Sequence, residues 1–81
     1  MKYYVYILQS QKDNSLYKGI TNNLERRIRE HNNKQNRSTK NKVPYELIYY
    51  ETFSNRLDAR NREKYFKSGS GREFINSIII K

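Results

Sequence analysis

Three placements of reactive side chains stand out along this chain. Wound as a helix at about 100° per residue, the segment around Glu63 sets that carboxylate within roughly 40° of Ala59, beside Phe66 and among apolar positions, with Arg60, Arg62 and Lys67 on its flanks. A carboxylate on an inward face has to pair with a cation, bind a metal ion or take up a proton, because burying it bare is expensive. A structural ion pair with a neighbouring arginine and a hard-cation ligand are both open readings. Arg27 and His31, the only histidine, are four residues apart on the arc marked by Leu24 and Ile28, so a guanidinium and an imidazole leave one side of a helix toward a sheet edge. A plain amphipathic helix does not need that pairing, although a snorkelling arginine and a histidine favoured by the helix dipole would also produce it. Tyrosine occurs eight times, more than a small core requires, and strand alternation puts Tyr4 and Tyr6 on one face. An ordinary strand tyrosine is half-buried with its hydroxyl in water, so position decides which hydroxyls do chemistry.

The elements that must carry these groups are few. The chain has 81 residues, which sets the expectation of one domain over residues 1–81 with one small core. Lys and Arg number 17 against 8 Asp and Glu, a formal charge of +9, and the composition is only 35% hydrophobic. Such an excess suits a polyanionic partner. No apolar run approaches the roughly 18 residues of a membrane span, and the start of the chain lacks the pattern of a secretory signal, so a cytoplasmic location is expected. With no cysteine and one histidine, disulfides, thiolate zinc sites and histidine-cluster metal sites are excluded. Only an oxygen-ligated metal remains open.

Tyr3 to Leu8 reads as a strand entering a hairpin, and Leu16 to Ile20 as its return, with Gly19 marking a bulge or a close approach to the backbone. Thr21 or Asn22 offers an N-cap, with Glu25 reaching back, for a helix running to about Asn32. Residues 32–42 contain no hydrophobic side chain and include Lys34, Arg37, Lys40 and Lys42; the segment reads either as a solvated, mobile loop or as one that orders on nucleic acid. After Pro44 a third strand is expected over Tyr45 to Glu51, with Leu47 and Tyr49 alternating against Glu46, Ile48 and Tyr50. Ser54 or Asn55 caps a helix to about Lys67. Ser70-Gly71-Arg72-Glu73 has the form of a capping box opening a last helix that buries Phe74, Ile75, Ile78 and Ile79. Ser68-Gly69-Ser70-Gly71-Arg72 resembles a phosphate-cradling nest only superficially, since it lacks the lysine and preceding strand of a phosphate-binding loop, and reads as a helix-helix turn. The sum is an α+β fold in the order β-β-α-β-α-α, a small three-stranded antiparallel sheet flanked by helices.

Taken together, Tyr4-Val5-Tyr6, Tyr17-Lys18-Gly19, Arg27, His31 and Glu63 resemble the motif series of the GIY-YIG nuclease superfamily. The likeness is strongest to small stand-alone members related to the N-terminal nuclease domain of the bacterial excision-repair endonuclease. Spacing is the specific part: Tyr17 follows Tyr6 by eleven residues and Arg27 follows Tyr17 by ten. Tyr4 stands where the family has its first Gly and Lys18 where it has its central Ile, while Asn76 is an approximate counterpart of a late Asn.

The resemblance implies a divalent-metal-dependent endonuclease acting on phosphodiester bonds of DNA, in repair or processing. Glu63 would hold Mg²⁺ or Mn²⁺, and Arg27 would fork onto non-bridging phosphate oxygens. Tyr6 would act as general base, Tyr17 would orient water or phosphate, and Lys18, Arg27 and His31 would bias Tyr6 toward the phenolate. Lys18, Lys34, Arg37, Lys40 and Lys42 are the expected contacts to nucleic acid. A non-catalytic basic nucleic-acid-binding module on the same fold is the alternative, and a basic adaptor for an acidic protein is a third reading that rests on charge alone.

Overall fold

β-branched and aromatic residues suit a pleated, half-buried surface, and Tyr3–Ser10 form strand β1 accordingly. The chain turns through Asn14, at φ 64°, and returns as β2, Leu16–Thr21. The structure, a computed structural model, describes residues 2–79. Helix α1 follows as Leu24–Asn32, then strand β3, Tyr45–Phe53, and helices α2, Arg56–Phe66, and α3, Gly69–Ile79. The sheet order is β2-β1-β3 with both pairings antiparallel, which is the α+β arrangement expected. No described helix is long and apolar enough to cross a membrane.

The central strand sends alternate side chains into two different layers. Tyr6 and Leu8 pack with Tyr17, Leu24, Ile28 and Leu47 beneath α1. Val5 and Ile7 pack with Ala59, Phe66 and Ile75 of α2 and α3 on the other face. One bulge departs from the expected alternation. Ile7 lies opposite Tyr49 but Leu8 lies opposite Leu47, so Ile48 is the extra residue. Leu47 and Tyr49, expected on one face, therefore go to opposite layers, Leu47 toward α1 and Tyr49 with Ile48 toward α2 and α3.

Two helix starts differ from the expectation by a residue or two, and that of α2 is as expected. Asn23, not Thr21 or Asn22, caps α1, its side chain accepting from the Arg26 N–H at 3.0 Å, while the Thr21 hydroxyl accepts from the Asn23 N–H. Asn55 caps α2 in the same way through the Asp58 N–H. Ser68 rather than Ser70 begins α3: its hydroxyl oxygen accepts from the Gly71 N–H at 3.2 Å. Along α3 Gly71 and Ile75 are buried and Phe74 and Ile78 half-buried, whereas Ile79 is exposed, outside the apolar face assigned to it.

Two contacts hold α2 in place. Arg62 donates from Nε and Nη2 to the two carboxylate oxygens of Glu51 on β3, at 2.8 and 3.0 Å, and its guanidinium lies over the rings of Tyr65, Phe66 and Phe74. The Tyr49 hydroxyl also donates to Glu51. At the α2–α3 junction, a Cβ on Gly71 would lie 1.9 Å from the Tyr65 carbonyl oxygen and 2.6 Å from Phe66 Cα. Both are backbone atoms that no rotamer change can move aside. Gly71→Ala is therefore expected to destabilise the fold by about 1–3 kcal/mol or more, read as a lower urea midpoint; an unchanged midpoint would mean that α3 can shift freely.

Candidate active site

Tyr6 and Gly19 are direct partners across the β1–β2 hairpin, as are Leu8 and Tyr17. Because the two tyrosines point to the same face, their ring centroids lie 6.3 Å apart. The close approach that Gly19 signalled is the Tyr6 ring itself: a Cβ at Gly19 would fall 2.6 Å from the Tyr6 hydroxyl oxygen. Tyr6 is only 1% exposed, so its hydroxyl must find partners inside the protein.

Those partners come from α1. The Tyr6 hydroxyl lies 3.0 Å from His31 Nε2 and accepts from Arg27 Nε at 3.4 Å. Arg27 is turned into place by Glu30, which accepts from its Nη1 at 3.0 Å. The Tyr17 ring lies 4.7 Å from the His31 ring, and Tyr45 closes the far side at 6.2 Å. Four of the expected residues, Tyr6, Tyr17, Arg27 and His31, are thus in one cluster.

His31 Nδ1 is 2.9 Å from the hydroxyl of Thr39, which itself is 3.5 Å from the Asn36 carbonyl oxygen. Arg27 can only donate to Tyr6, which leaves the tyrosine's own proton for His31 Nε2. The consistent chain runs Tyr6 O–H to Nε2, Nδ1–H to Thr39, Thr39 O–H to Asn36. Thr39 departs from the expectation for residues 32–42, a solvated loop or one that orders on nucleic acid. It is buried, 1% exposed, and it is the only β-branched residue of that segment, the one signal by which sequence might have found it. Glu30, three residues beyond Arg27, was legible as a helical pair.

Electrostatics depart from the expected bias toward the phenolate. Burial pushes the Tyr6 phenol up to about 12, and the hydrogen bond from Arg27 only partly opposes it. His31, lowered to about 4 by burial and then by the Arg27 charge, is neutral and supplies no positive charge to its neighbour.

Glu63 stands on α2, in the opposite layer, and no hydrogen bond or ion pair joins it to Tyr6, Tyr17, Arg27 or His31. Its side chain is 15% exposed, with Lys67 Nζ at 3.5 Å and Arg60 Nε at 4.0 Å; the third flanking cation, Arg62, is turned away to Glu51. Among the described residues no three His, Asp or Glu side chains gather to form a metal site. One loosely paired carboxylate suits a hard cation that takes its remaining ligands from water and substrate, and does not suit zinc. Lys18 faces away from Tyr6, opposite Ile7. Lys34, Arg37, Lys40 and Lys42 are exposed along the loop after α1, and Lys42 pairs with Asp13 at 3.6 Å.

Two tyrosines on a hairpin, with an arginine and a histidine on the helix that follows, form the polar cluster of a small α+β domain. The chain belongs to the GIY-YIG family, matching its catalytic domain over residues 2–76. It is similar to a UPF0213 protein of Clostridium perfringens, 51% identical over 79 residues that cover 96% of this chain and 84% of that protein. A UPF0213 protein of Staphylococcus haemolyticus is 44% identical over 78 residues, covering 95% and 94%. The solution NMR structure of a UPF0213 protein from Bacillus halodurans superposes with a TM-score of 0.58 at 32% identity, covering 96% of this chain and 85% of that one.

Two outcomes follow for the buried chain. His31 takes a proton near 6.5 when unfolded but only near 4 when folded, so the unfolded state binds more protons between those values and stability falls as pH drops from 6.5 toward 4. Replacing His31 by Gln should flatten the slope of unfolding free energy against pH in that window, and an unchanged slope would place the proton uptake elsewhere. Thr39→Val keeps the shape but orphans Nδ1–H, at a cost of about 1–3 kcal/mol, whereas Thr39→Ser should recover most of it in the same denaturation measurement.

Proposed function

We propose that this protein is a divalent-metal-dependent endonuclease that hydrolyses phosphodiester bonds in DNA, acting in repair or processing. The observation that carries this reading is the meeting of the Tyr6 hydroxyl with both His31 Nε2, at 3.0 Å, and Arg27 Nε, at 3.4 Å, beside β2, an edge strand. Arg27 forks onto the phosphate oxygens and offsets the charge that grows on them during attack. Tyr6 takes the proton of the attacking water while passing its own to His31 Nε2, so no free phenolate is needed, and Nδ1–H···Thr39 holds the imidazole in the receiving tautomer. Tyr17, whose ring packs tilted against that of His31, limits the imidazole's motion and borders the place where water would lie. Glu63 would hold Mg²⁺ or Mn²⁺, which when bound supplies Lewis-acid polarisation of the phosphate. The exposed cations of the loop, Lys34, Arg37 and Lys40, with Lys42, contribute sequence-independent backbone contacts.

The neutral phenol and the cation-paired Glu63 of the free protein also suit a module that binds nucleic acid without cutting it. Cleavage separates the two readings.

Glu63→Gln should abolish nicking of supercoiled plasmid in Mg²⁺ or Mn²⁺ while leaving DNA affinity nearly unchanged, and EDTA should do the same to the wild type. Tyr6→Phe should slow the chemical step by roughly 10²–10⁴-fold, compared at matched folded fraction because phenylalanine strands His31 Nε2. Arg27→Lys should retain more activity than Arg27→Ala. Equal cutting by the wild type and Glu63→Gln would refute the metal assignment, and binding of DNA without cleavage of plasmid or branched substrates would favour the binding module.

A further inference from the structure

Lys18 leaves the sheet on the side opposite the tyrosine cluster. With Arg72 and Asn76 of α3 it lines an open cleft of about 360 Å³ backed by Leu16 and Ile75. Partial burial, and then the positive charges of Arg72 and Lys67, draw the pKa of its ammonium below the ordinary lysine value. Among the described residues neither Lys18 nor Arg72 takes part in an ion pair, while Lys67 reaches Glu63 at 3.5 Å. Like charges gathered at a partly desolvated cleft repel one another, and an entering anion relieves that repulsion. An arginine fork, an ammonium and a carboxamide together match the oxygens of a phosphodiester.

Position relates this cleft to the candidate site. Lys18 and Gly19 are consecutive on β2, so the strand that sends the cleft's lysine to one face receives the Tyr6 ring on the other. β2 has no strand on its outer side, and a nucleic-acid strand crossing that edge meets both faces. We infer that Lys18, Arg72 and Asn76 form a second phosphate subsite, which holds a backbone phosphate of the nucleic-acid strand while a neighbouring phosphate occupies the tyrosine–arginine cluster. The assignment rests on the nuclease reading for the neighbouring phosphate only. The subsite is absent from the sequence expectation, which placed Lys18 among the nucleic-acid contacts but read residues 68–72, Arg72 included, as a plain helix-helix turn. A phosphate held there gives the bound strand a direction across the sheet edge, and so sets which bond is presented to Tyr6.

Two measurements test this, and neither requires cleavage. Inorganic phosphate titrated into ¹⁵N-labelled protein should produce saturable shifts of the Lys18, Arg72 and Asn76 amides, and these should vanish in Arg72→Gln and Lys18→Gln. Fluorescence anisotropy with a labelled DNA oligonucleotide, read between 50 and 200 mM salt, should show the slope of log affinity against log salt falling by about 0.7–0.9 in each variant. A single methylphosphonate that weakens wild-type binding should have no further effect in Arg72→Gln when it stands at the phosphate held by the cleft. Shifts with free phosphate but unchanged slopes in the variants would define a free-anion site and overturn the backbone assignment. Unchanged shifts and slopes in both variants would overturn the subsite outright, even if the wild type cuts DNA. Reduced slopes in a protein that never cuts would keep the subsite and remove the nuclease reading.

Discussion

A buried phenol hydroxyl governs this molecule. Tyr6 stands on the central strand, where its ring packs in the layer under α1, and a hydroxyl in that position needs a donor and an acceptor that the sheet does not provide. Each surrounding feature answers that need. Gly19 leaves the space the ring crosses, Arg27 donates to the oxygen, His31 accepts its proton, and Thr39 satisfies the far side of the imidazole. The polar loop after α1 is therefore tied to the candidate site, even though most of its residues are exposed. Further bonds secure its end: Ser10 donates to the Lys42 carbonyl, and the Asn32 side chain exchanges hydrogen bonds with the Tyr45 backbone.

Burial acts on both members of the Tyr6–His31 pair in the direction that removes charge. It raises the phenol and lowers the imidazole, so near neutral pH the resting pair is uncharged and Arg27 is the charged group touching it. Proton transfer from the phenol to His31 makes an imidazolium in a buried place, a cost that is met only as charge appears at the phosphate. A phenolate held ready by surrounding cations, the arrangement expected from sequence, would instead have needed those cations to outweigh desolvation. Arg27 alone does not, because Lys18 faces the other layer and His31 is neutral.

How much of this could be read from sequence follows from range. Strand and helix types depend on local periodicity, and all six elements were legible from it. The Tyr6–Tyr17 relation was legible too, because a hairpin converts sequence spacing directly into register. What escaped depended on contacts between elements. The bulge at Ile48 answers the packing of β3 against two layers, and no residue type announces it. Thr39 looked like solvent-facing loop because its partner, His31, had first to be buried. Arg62 and Arg60 were indistinguishable as partners for Glu63 until Glu51, on a strand eleven residues away from Arg62, claimed the first of them.

The same distribution of ion pairs explains how a chain of +9 keeps its acidic groups useful. Glu30 engages Arg26 and Arg27, Glu51 engages Arg62, and Asp13 engages Lys42, so each of these carboxylates fixes the direction of a cation rather than neutralising a surface. Pairs of this exposure contribute little stability individually, about 0–1 kcal/mol, so their main effect is geometric. Glu51–Arg62 holds α2 on β3 and thereby sets where Glu63 lies relative to the phenol in the other layer. Glu63 is the exception among these acids: it is more buried than Glu30, Glu51 or Asp13, and its partners, at 3.5 and 4.0 Å, are two flexible cations. A carboxylate so placed can exchange those partners for a divalent ion, because Lys67 and Arg60 are half-exposed and can return to water as the metal arrives.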